Sequence, residues 1–454
     1  MFTPGDQFPL APARIFFVGI GGIGMSGLAQ ALVKCGYEVA GSDRAINQPA
    51  MAQLFAALRA QGIKLYPQDG SGVSAFRPDA LVISSAIEDN NPDLAAFGDG
   101  PRFHRAAILA TICQRSHCVF IGVAGSCGKT SVTAWIASTL ANLHLPITMI
   151  NGGYVNDFAG EHLPGNFYTD AQPQFIIAEI DESDRSIDYY SPDYGLVLNI
   201  GDDHYGRAEL ADEFNKFLDR GKSGDFAPAS LKNLLNAKNY FDDTVHDYHT
   251  DATGIYFTSA GQPFHCGQCG QHSAINGAAV YAILRQALTQ AQASNQTIAD
   301  AMSKFKGVRQ RFDIVVNDAT TGHIVINDYA HNPEKIAAAV SAAQERFGRP
   351  LLIIFQPHGF KPLEFMRETL KEELQRVLKP NDVFAFLPVY YAGGTTSFAP
   401  TSEEVAKEYA TSGMKVRYLP SREEASKYIA DHRDAVCLVL GARDPSLYWW
   451  SRTL

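Results

Sequence analysis

The stretch Gly125-Ser126-Cys127-Gly128-Lys129-Thr130-Ser131 decides the reading of this chain, because it follows the apolar run Cys118-Val-Phe-Ile-Gly-Val-Ala124 and leads into Val132-Thr-Ala-Trp-Ile-Ala-Ser-Thr-Leu140. That order predicts a strand, a glycine loop and a helix, which together make a phosphate cradle. Glycines let backbone N–H groups approach phosphate oxygens, the helix N-terminus adds partial positive charge, a lysine reaches the outer phosphates and a hydroxyl ligates Mg²⁺. Lys129 and Thr130 stand at the lysine and hydroxyl positions, so the chain is expected to use ATP or GTP. Longer P-loop patterns carry another glycine where this chain has Val123, which makes the loop a compact G-x-x-G-K-T-S variant. Cys127 lies at a helix N-terminus, a setting in which thiols can be reactive, although a small residue filling the loop is the simpler reading.

Upstream, the strand Arg14-Ile-Phe-Phe-Val18 precedes Gly19-Ile-Gly-Gly-Ile-Gly24, a helical segment from Met25 to Cys35, and a second strand Tyr37-Glu-Val-Ala40 that ends in Gly41-Ser42-Asp43. A G-x-G-x-x-G loop with an acidic residue about 20 positions on is the dinucleotide fingerprint, and it places Asp43 on a ribose hydroxyl. The run Ala80-Leu-Val-Ile-Ser-Ser-Ala-Ile87 reads as a buried strand whose Ser84 and Ser85 reach the carboxyl edge of a sheet, where ligands of such folds sit.

Downstream, Phe175-Ile-Ile-Ala-Glu179 and Gly195-Leu-Val-Leu-Asn199 have the short, fully apolar character of parallel core strands. Residues 225–270 give no clear order of elements, and Ala274 to Leu288 reads as a helix. A third α/β unit follows, with strands at His323-Ile-Val-Ile-Asn-Asp328, Leu351-Leu-Ile-Ile-Phe355, Val383-Phe-Ala-Phe386 and Ala435-Val-Cys-Leu-Val-Leu440, and a helix from Pro333 to Phe347. The expected architecture is α/β throughout: a Rossmann-like domain over residues 1–110, a central P-loop domain over 111–322 and a second Rossmann-like domain over 323–454.

Composition bounds the function. The chain has 454 residues, 46% of them hydrophobic, enough for about three domains with cores. A net charge of −10 without a Lys/Arg run argues against a nucleic-acid binder. Neither an 18-residue apolar run nor a cationic apolar leader is visible, so no membrane span is expected and the cytoplasm is the expected location. Seven scattered cysteines fit reduced thiols. His265-Cys-Gly-Gln-Cys269 with His272 offers one C-x-x-C where structural zinc normally draws on two.

Two acidic segments end core strands. Glu179-Ile-Asp-Glu-Ser-Asp184 follows the P-loop by about 50 residues, and a carboxylate there is placed to hold the Mg²⁺ that bridges nucleotide phosphates. Asp202-Asp203-His204 supplies a second set of metal or substrate ligands.

Taken together these motifs resemble the Mur ligase family, whose members spend ATP to join amino acids or peptides to UDP-N-acetylmuramic acid. The resemblance rests on the P-loop with Ser126 in place of threonine, on Glu179-Ile-Asp-Glu-Ser-Asp184, Asn199-Ile-Gly-Asp-Asp-His204, the helix carrying Asn276 (with Ser273 replacing an asparagine), Gly307-Val-Arg-Gln-Arg-Phe312 and Asp328-Tyr-Ala-His-Asn-Pro333. Gly19 to Gly27, Gly41-Ser-Asp43, Val82 to Ile87 and Phe355-Gln-Pro-His358 are similar to the family's alanine-adding branch.

The resemblance implies catalytic roles for Lys129, Glu179, His204 and His358. It implies an ATP site made by Gly125, Ser126, Cys127, Gly128, Lys129, Thr130, Ser131, Asn276, Arg311 and Asp328, with Mg²⁺ on Thr130, Glu179 and His204. The first glycine loop becomes a cradle for the UDP-sugar, through Gly21, Gly22, Ile23, Gly24, Ser42, Asp43, Ser84 and Ser85, while His331 and Lys361 line the substrate side of the third domain. Some members use a carbamylated lysine, and Lys222 is a position for one. The implied reaction joins L-alanine to the carboxylate of UDP-N-acetylmuramate through an acyl phosphate, in a monomer or homodimer. The branch's R-[YF]-x-R after F-Q-P-H is replaced by Gly359-Phe-Lys361. That replacement motivates a second reading, ligation of another amino acid or a murein tripeptide. A third reading is a catalytically weak nucleotide-binding paralogue.

Overall fold

The computed structural model describes residues 2–182, 186–201, 206–391 and 398–454. The chain divides into two compact units, the first built from Met1–Asp247, Phe257–Cys266 and Ala274–Gly307, the second from Tyr248–Tyr256, Gly267–Ser273 and Val308–Leu454.

The first unit holds two large sheets. One contains β1 (Arg14–Val18), β2 (Glu38–Asp43), β3 (Lys64–Pro67), β4 (Ala80–Ile83) and β5 (Arg102–His104) in the order β3-β2-β1-β4-β5, all paired in parallel. Its central strands β1 and β4 are nearly continuous apolar runs because helices cover both faces, and Phe16, Phe17, Leu81 and Val82 are fully buried. The order reverses between β1 and β4, so the loop after β1 opens into the crevice where such sheets take ligands. β4 is shorter than its apolar run suggests. It ends at Ile83, and Ser84 turns the chain, with its carbonyl accepting the Ile87 N–H at 3.1 Å.

The second sheet comprises β6 (Val119–Ala124), β7 (Ile147–Ile150), β8 (Phe167–Thr169), β9 (Phe175–Glu179), β10 (Tyr194–Val197), β11 (Gly224–Ala227) and β12 (Asn239–Tyr240), in the order β12-β11-β10-β6-β9-β7-β8. β8 is antiparallel to β7, and the other pairs are parallel. β6 lies between β9 and β10, so the loop leaving it sits at this sheet's own switch point. Val123, where longer P-loops have glycine, belongs to the strand: it is buried and registers with Leu196 and Glu179. Strand β6 simply runs further before the loop starts. β13 (Val245–Asp251), β14 (Gly254–Ser259) and β15 (Gln262–Cys266) form a small three-stranded sheet from the stretch whose elements the sequence left unordered.

The second unit carries β16 (Asp313–Asp318), β17 (His323–Asp328), β18 (Leu351–Gln356), β19 (Val383–Phe386), β20 (Val416–Tyr418) and β21 (Val436–Gly441), in the order β16-β17-β21-β18-β19-β20. β16 pairs antiparallel with β17 and the remaining strands are parallel. Position 323, the expected start of the third domain, therefore falls inside a hairpin whose first strand is already part of this sheet. Both faces are covered by apolar clusters, one around Ile353, Phe355 and Leu438, the other around Leu352, Ile354 and Val439. Among the described residues no helix is long and apolar enough to cross a membrane.

Candidate active site

The P-loop leaves β6 at Ala124 and enters the helix Lys129–Asn142. Gly125 and Gly128 have φ of +127° and +85°, and a Cβ at Gly125 would lie 2.9 Å from the Leu198 backbone nitrogen, so only glycine fits there. The loop is braced by the segment after β10. Asn199 accepts the Cys127 N–H on Oδ1 at 2.8 Å and donates Nδ2–H to the Cys127 carbonyl at 2.9 Å. Ser126 Oγ accepts the Gly201 N–H at 2.8 Å, which shows why serine serves where the family motif has threonine: the hydroxyl is what the brace uses.

Lys129 opens the helix and its Nζ donates to the Gly125 carbonyl at 2.6 Å and to both carboxylate oxygens of Glu182, at 2.7 and 3.0 Å. Burial pushes the Glu182 carboxyl above its ordinary range, and Lys129 opposes that shift. Thr130 Oγ1 donates to Glu179 Oε1 at 3.1 Å, and the other oxygen of Glu179 accepts the Gly152 N–H at 2.8 Å. A Cβ at Gly152 would lie 2.5 Å from Glu179 Oε2, so glycine makes room for the carboxylate. Asn276, on the helix Gln271–Ala287, closes the other side of the loop: its Oδ1 would stand 3.2 Å from a Cβ at Gly128. The structure thus brings together Gly125 to Ser131, Glu179 and Asn276.

Thr130 and Glu179 are two hard oxygen donors beside the loop, a set that fits Mg²⁺, which keeps several waters and takes few protein ligands. His204, with Asp202 and Asp203, lies outside the described residues. Among the described residues no three His, Cys, Asp or Glu side chains form a metal-binding group, the His265–His272 segment included. Lys222 is a correction. It precedes β11, its Nζ 3.9 Å from Asp193 just ahead of β10, and so lies at the amino ends of parallel strands whose carboxyl ends carry the P-loop side. It is on the wrong edge to hold that metal.

At the first glycine loop, the N–H groups of Gly19 and Ile20 both donate to the Ser42 carbonyl at 2.9 Å, and the Asp43 carboxylate accepts the N–H of Gly21 at 2.7 Å and of Ala45 at 2.8 Å. Asp43 therefore shapes the loop as well as standing at its mouth. Gly22 caps the helix Ile23–Lys34, which begins two residues earlier than its apolar pattern suggests and takes in Gly24. Ser84 and Ser85 follow β4 at the same edge, with Ser85 exposed. The Ser42 side chain faces the interior instead: it is fully buried and donates to Asp93. Arg105, at the start of the helix Arg105–Arg115, had no motif to mark it, yet it pairs with Asp181 at 2.6 Å and lies next to Gly24.

In the second unit, Asp328 at the end of β17 accepts the N–H groups of Phe312 and Ala330 at 2.6 and 2.7 Å, and Arg311 stacks over the Tyr329 ring at 4.9 Å. His331 donates Nδ1–H to the Tyr329 carbonyl at 2.9 Å, which leaves Nε2 as its free-electron-pair nitrogen when neutral. Its ring meets His358 edge-on, 5.0 Å between centroids. His358 Nδ1 is buried without a partner among the described residues, and burial, His331 and Arg443 push the imidazole down to about 4, so it is neutral at pH 7. Lys361 is exposed in the first turn of the helix Phe360–Val377, behind Phe360, which packs on Phe398 and Tyr391 at 5.3 and 6.2 Å. Arg422 donates to Gln356 at 3.1 Å and to Asp444 at 2.5 Å, a basic group next to the F-Q-P-H strand that no motif announced.

The chain is similar to known proteins along nearly its whole length. The profile for the Mur ligase family catalytic domain matches residues 14–117, that for the Mur ligase middle domain 123–223, and that for the Mur ligase glutamate ligase domain 310–443. The UDP-N-acetylmuramate–L-alanine ligase of Desulfosudis oleivorans is 30% identical over 95% of this chain and 96% of its own length. Two solved structures share the fold: the UDP-N-acetylmuramate–alanine ligase of Thermotoga maritima, at a TM-score of 0.78 and 24% identity over 97% of this chain and 98% of its own, and a murein peptide ligase of Psychrobacter arcticus, at 0.65 and 17% over 97% and 99%. With a nucleotide cradle of this construction and a relative aligned along nearly its whole length, the chain belongs to the Mur ligase family.

Proposed function

We propose that the chain joins L-alanine to the lactyl carboxylate of UDP-N-acetylmuramate in peptidoglycan precursor synthesis, converting ATP to ADP and phosphate. The observation that carries the reading is the Lys129–Thr130–Glu179 constellation at the switch point of the second sheet, in a chain aligned end to end with alanine-adding relatives. The sugar nucleotide sits at the first glycine loop, where Gly21 to Gly24 let the backbone approach its diphosphate. ATP lies on Gly125 to Ser131 with Lys129 at its outer phosphates and Asn276 beside the loop. Thr130 and Glu179 would hold Mg²⁺, which would supply positive charge against the repulsion between the γ-phosphate and the attacking carboxylate.

The carboxylate takes the γ-phosphoryl group to give an acyl phosphate and ADP. The amine of alanine then attacks the acyl carbon, the C–N bond forms as the C–O bond to phosphate breaks, and a proton leaves the nitrogen. Lys129 stabilises charge in the first step; by family resemblance Arg311 and Asp328 are assigned to the nucleotide, and His331 and His358 to the acceptor. Lys361 would meet the acceptor's carboxylate as a point charge, where a bidentate arginine pair would be more selective. That difference supports the second reading, an acceptor other than alanine such as the murein tripeptide.

Phosphate release from the purified chain with UDP-N-acetylmuramate, ATP, Mg²⁺ and a panel of acceptors tests the proposal. Alanine-dependent release is the expected result. Release only with another amino acid or the tripeptide would move the assignment to the second reading, and silence with every acceptor would leave a nucleotide-binding paralogue.

A further inference from the structure

Two cations of the first unit, one at each glycine loop, are held by consecutive carboxylates. Arg105 lies beside the first loop: a Cβ at Gly24 would stand 3.3 Å from its NH1. Its NH2 pairs with Asp181 at 2.6 Å, the two side chains 22% and 36% exposed. Lys129 of the second loop pairs with Glu182 at 2.7 Å, at 14% and 9% exposure. Just before this pair of acids the backbone is pinned, since Ile180 is fully buried and its N–H donates to the Val123 carbonyl at 2.8 Å. Just after them the Ser186 hydroxyl ties back to the Asp181 carbonyl at 3.1 Å.

A sheltered carboxylate that has lost its cation to a polyanion is left desolvated beside like charge, a costly arrangement that it relieves by moving away. Glu182 meets that situation when ATP phosphates take Lys129. With Ile180 fixed, the displacement falls on residues 181 and 182 together. We infer that Asp181 and Glu182 act as one latch coupling the two substrate sites: nucleotide at Lys129 expels Glu182, the shift loosens Asp181, and Arg105 is released to bind an anionic group of the sugar nucleotide. Reciprocity follows, so the sugar nucleotide also favours ATP. Arg105 thereby becomes a substrate-binding residue. The inference rests on the function proposed above.

Calorimetric titration of the full chain with UDP-N-acetylmuramate, with and without saturating AMP-PNP, tests it. In the parent the nucleotide should tighten the sugar nucleotide by about five- to tenfold, within the usual range of coupling between sites. Asp181→Asn should bind the sugar nucleotide tighter on its own and retain less than about a twofold response to AMP-PNP. Glu182→Gln should bind AMP-PNP several-fold tighter both with Mg²⁺ and in EDTA. Arg105→Met should weaken UDP-N-acetylmuramate and leave AMP-PNP unchanged; if plain UDP weakens equally, Arg105 meets the diphosphate, and if not, the lactyl carboxylate. Unchanged coupling in both acid variants, or parental sugar-nucleotide affinity in Arg105→Met, overturns the latch. A parent that binds AMP-PNP but no UDP-N-acetylmuramate overturns the functional reading instead, and Glu182→Gln without a gain in AMP-PNP affinity overturns the latch whatever the substrate.

Discussion

Asn199 holds Cys127 by both of its backbone polar groups, accepting the N–H at 2.8 Å and donating to the carbonyl at 2.9 Å. The side chain thus completes a small two-bond ring with the P-loop's centre, and Ser126 adds a third tie to Gly201. Neither residue is placed to touch the reacting atoms; both hold the loop amides in the orientation that phosphate needs. Asn199→Ala should raise KM for ATP about tenfold, on the basis of two lost hydrogen bonds of roughly 1 kcal/mol each acting partly through the loop. Ser126→Thr, which keeps the hydroxyl, should retain near-parental KM, and Ser126→Ala should fall between the two. Steady-state kinetics in ATP reads all three, and equal KM for Ser126→Ala and Ser126→Thr would remove the hydroxyl from the account.

Lys129 donates to a carboxylate and to the loop's own carbonyl, so its ammonium is already oriented into the cradle. Lys129→Ala should lower the rate of alanine-dependent phosphate release by at least about a hundredfold, the usual loss when one preorganised charge at a phosphoryl-transfer site is removed. A variant that still ligates at near-parental rate would sink the cradle assignment.

How far these roles were legible varies with what each depends on. Strands β1, β9 and β17 and the helix Pro333–Phe347 stand at their expected positions because their apolar runs and, for the helix, the cap at Asn332 are local signals. The antiparallel partner β16, Asp-Ile-Val-Val-Asn-Asp, reads weakly alone and gains its place only by pairing with β17. In the site, Lys129 and Thr130 follow from loop chemistry. Glu182 and Arg105 do not, since a lysine's choice between neighbouring acids and an arginine's reach to Asp181 are decided by tertiary placement. Ser42 shows the opposite failure: a polar residue at a strand's carboxyl end reads as a ligand, but the register turns its side chain into the core toward Asp93.

Gly152 is a position where one methyl group should reach the metal. Its N–H holds Glu179 at 2.8 Å, and a Cβ there would sit 2.5 Å from Oε2, inside any real contact distance. Gly152→Ala should therefore push the carboxylate off Thr130 while leaving the fold in place, since Gly152 lies beyond the carboxyl end of β7 and outside the sheet's hydrogen bonding. The expected outcome is a higher Mg²⁺ concentration for half-maximal activity and a fall in kcat of about tenfold or more, comparable to disturbing a ligand's support. A Mg²⁺ titration at saturating ATP and sugar nucleotide, with chelator removal and readdition as control, separates this from simple misfolding. An unchanged Mg²⁺ requirement would detach Glu179 from metal binding.

His358 carries a pH signature. Burial, His331 and Arg443 push it down to about 4, well below the ordinary histidine value near 6.5. A histidine whose folded pKa is depressed is neutral in the native state while the unfolded chain still takes a proton. Its contribution to stability is therefore full above about pH 6.5, falls as the pH drops toward 4, and is constant below that. His272 and His323 are lowered by burial in the same direction, so the parent's loss of stability on acidification has several sources. Their part persists in His358→Asn, which should show a shallower fall of the urea midpoint between pH 6.5 and 4 than the parent, with the two curves parallel above 7. Because His358 is already neutral there, the pH–rate profile of the parent should show no limb from this residue between pH 6 and 8, and a limb in that window that vanishes in His358→Asn would show that bound substrate raises its pKa into the working range.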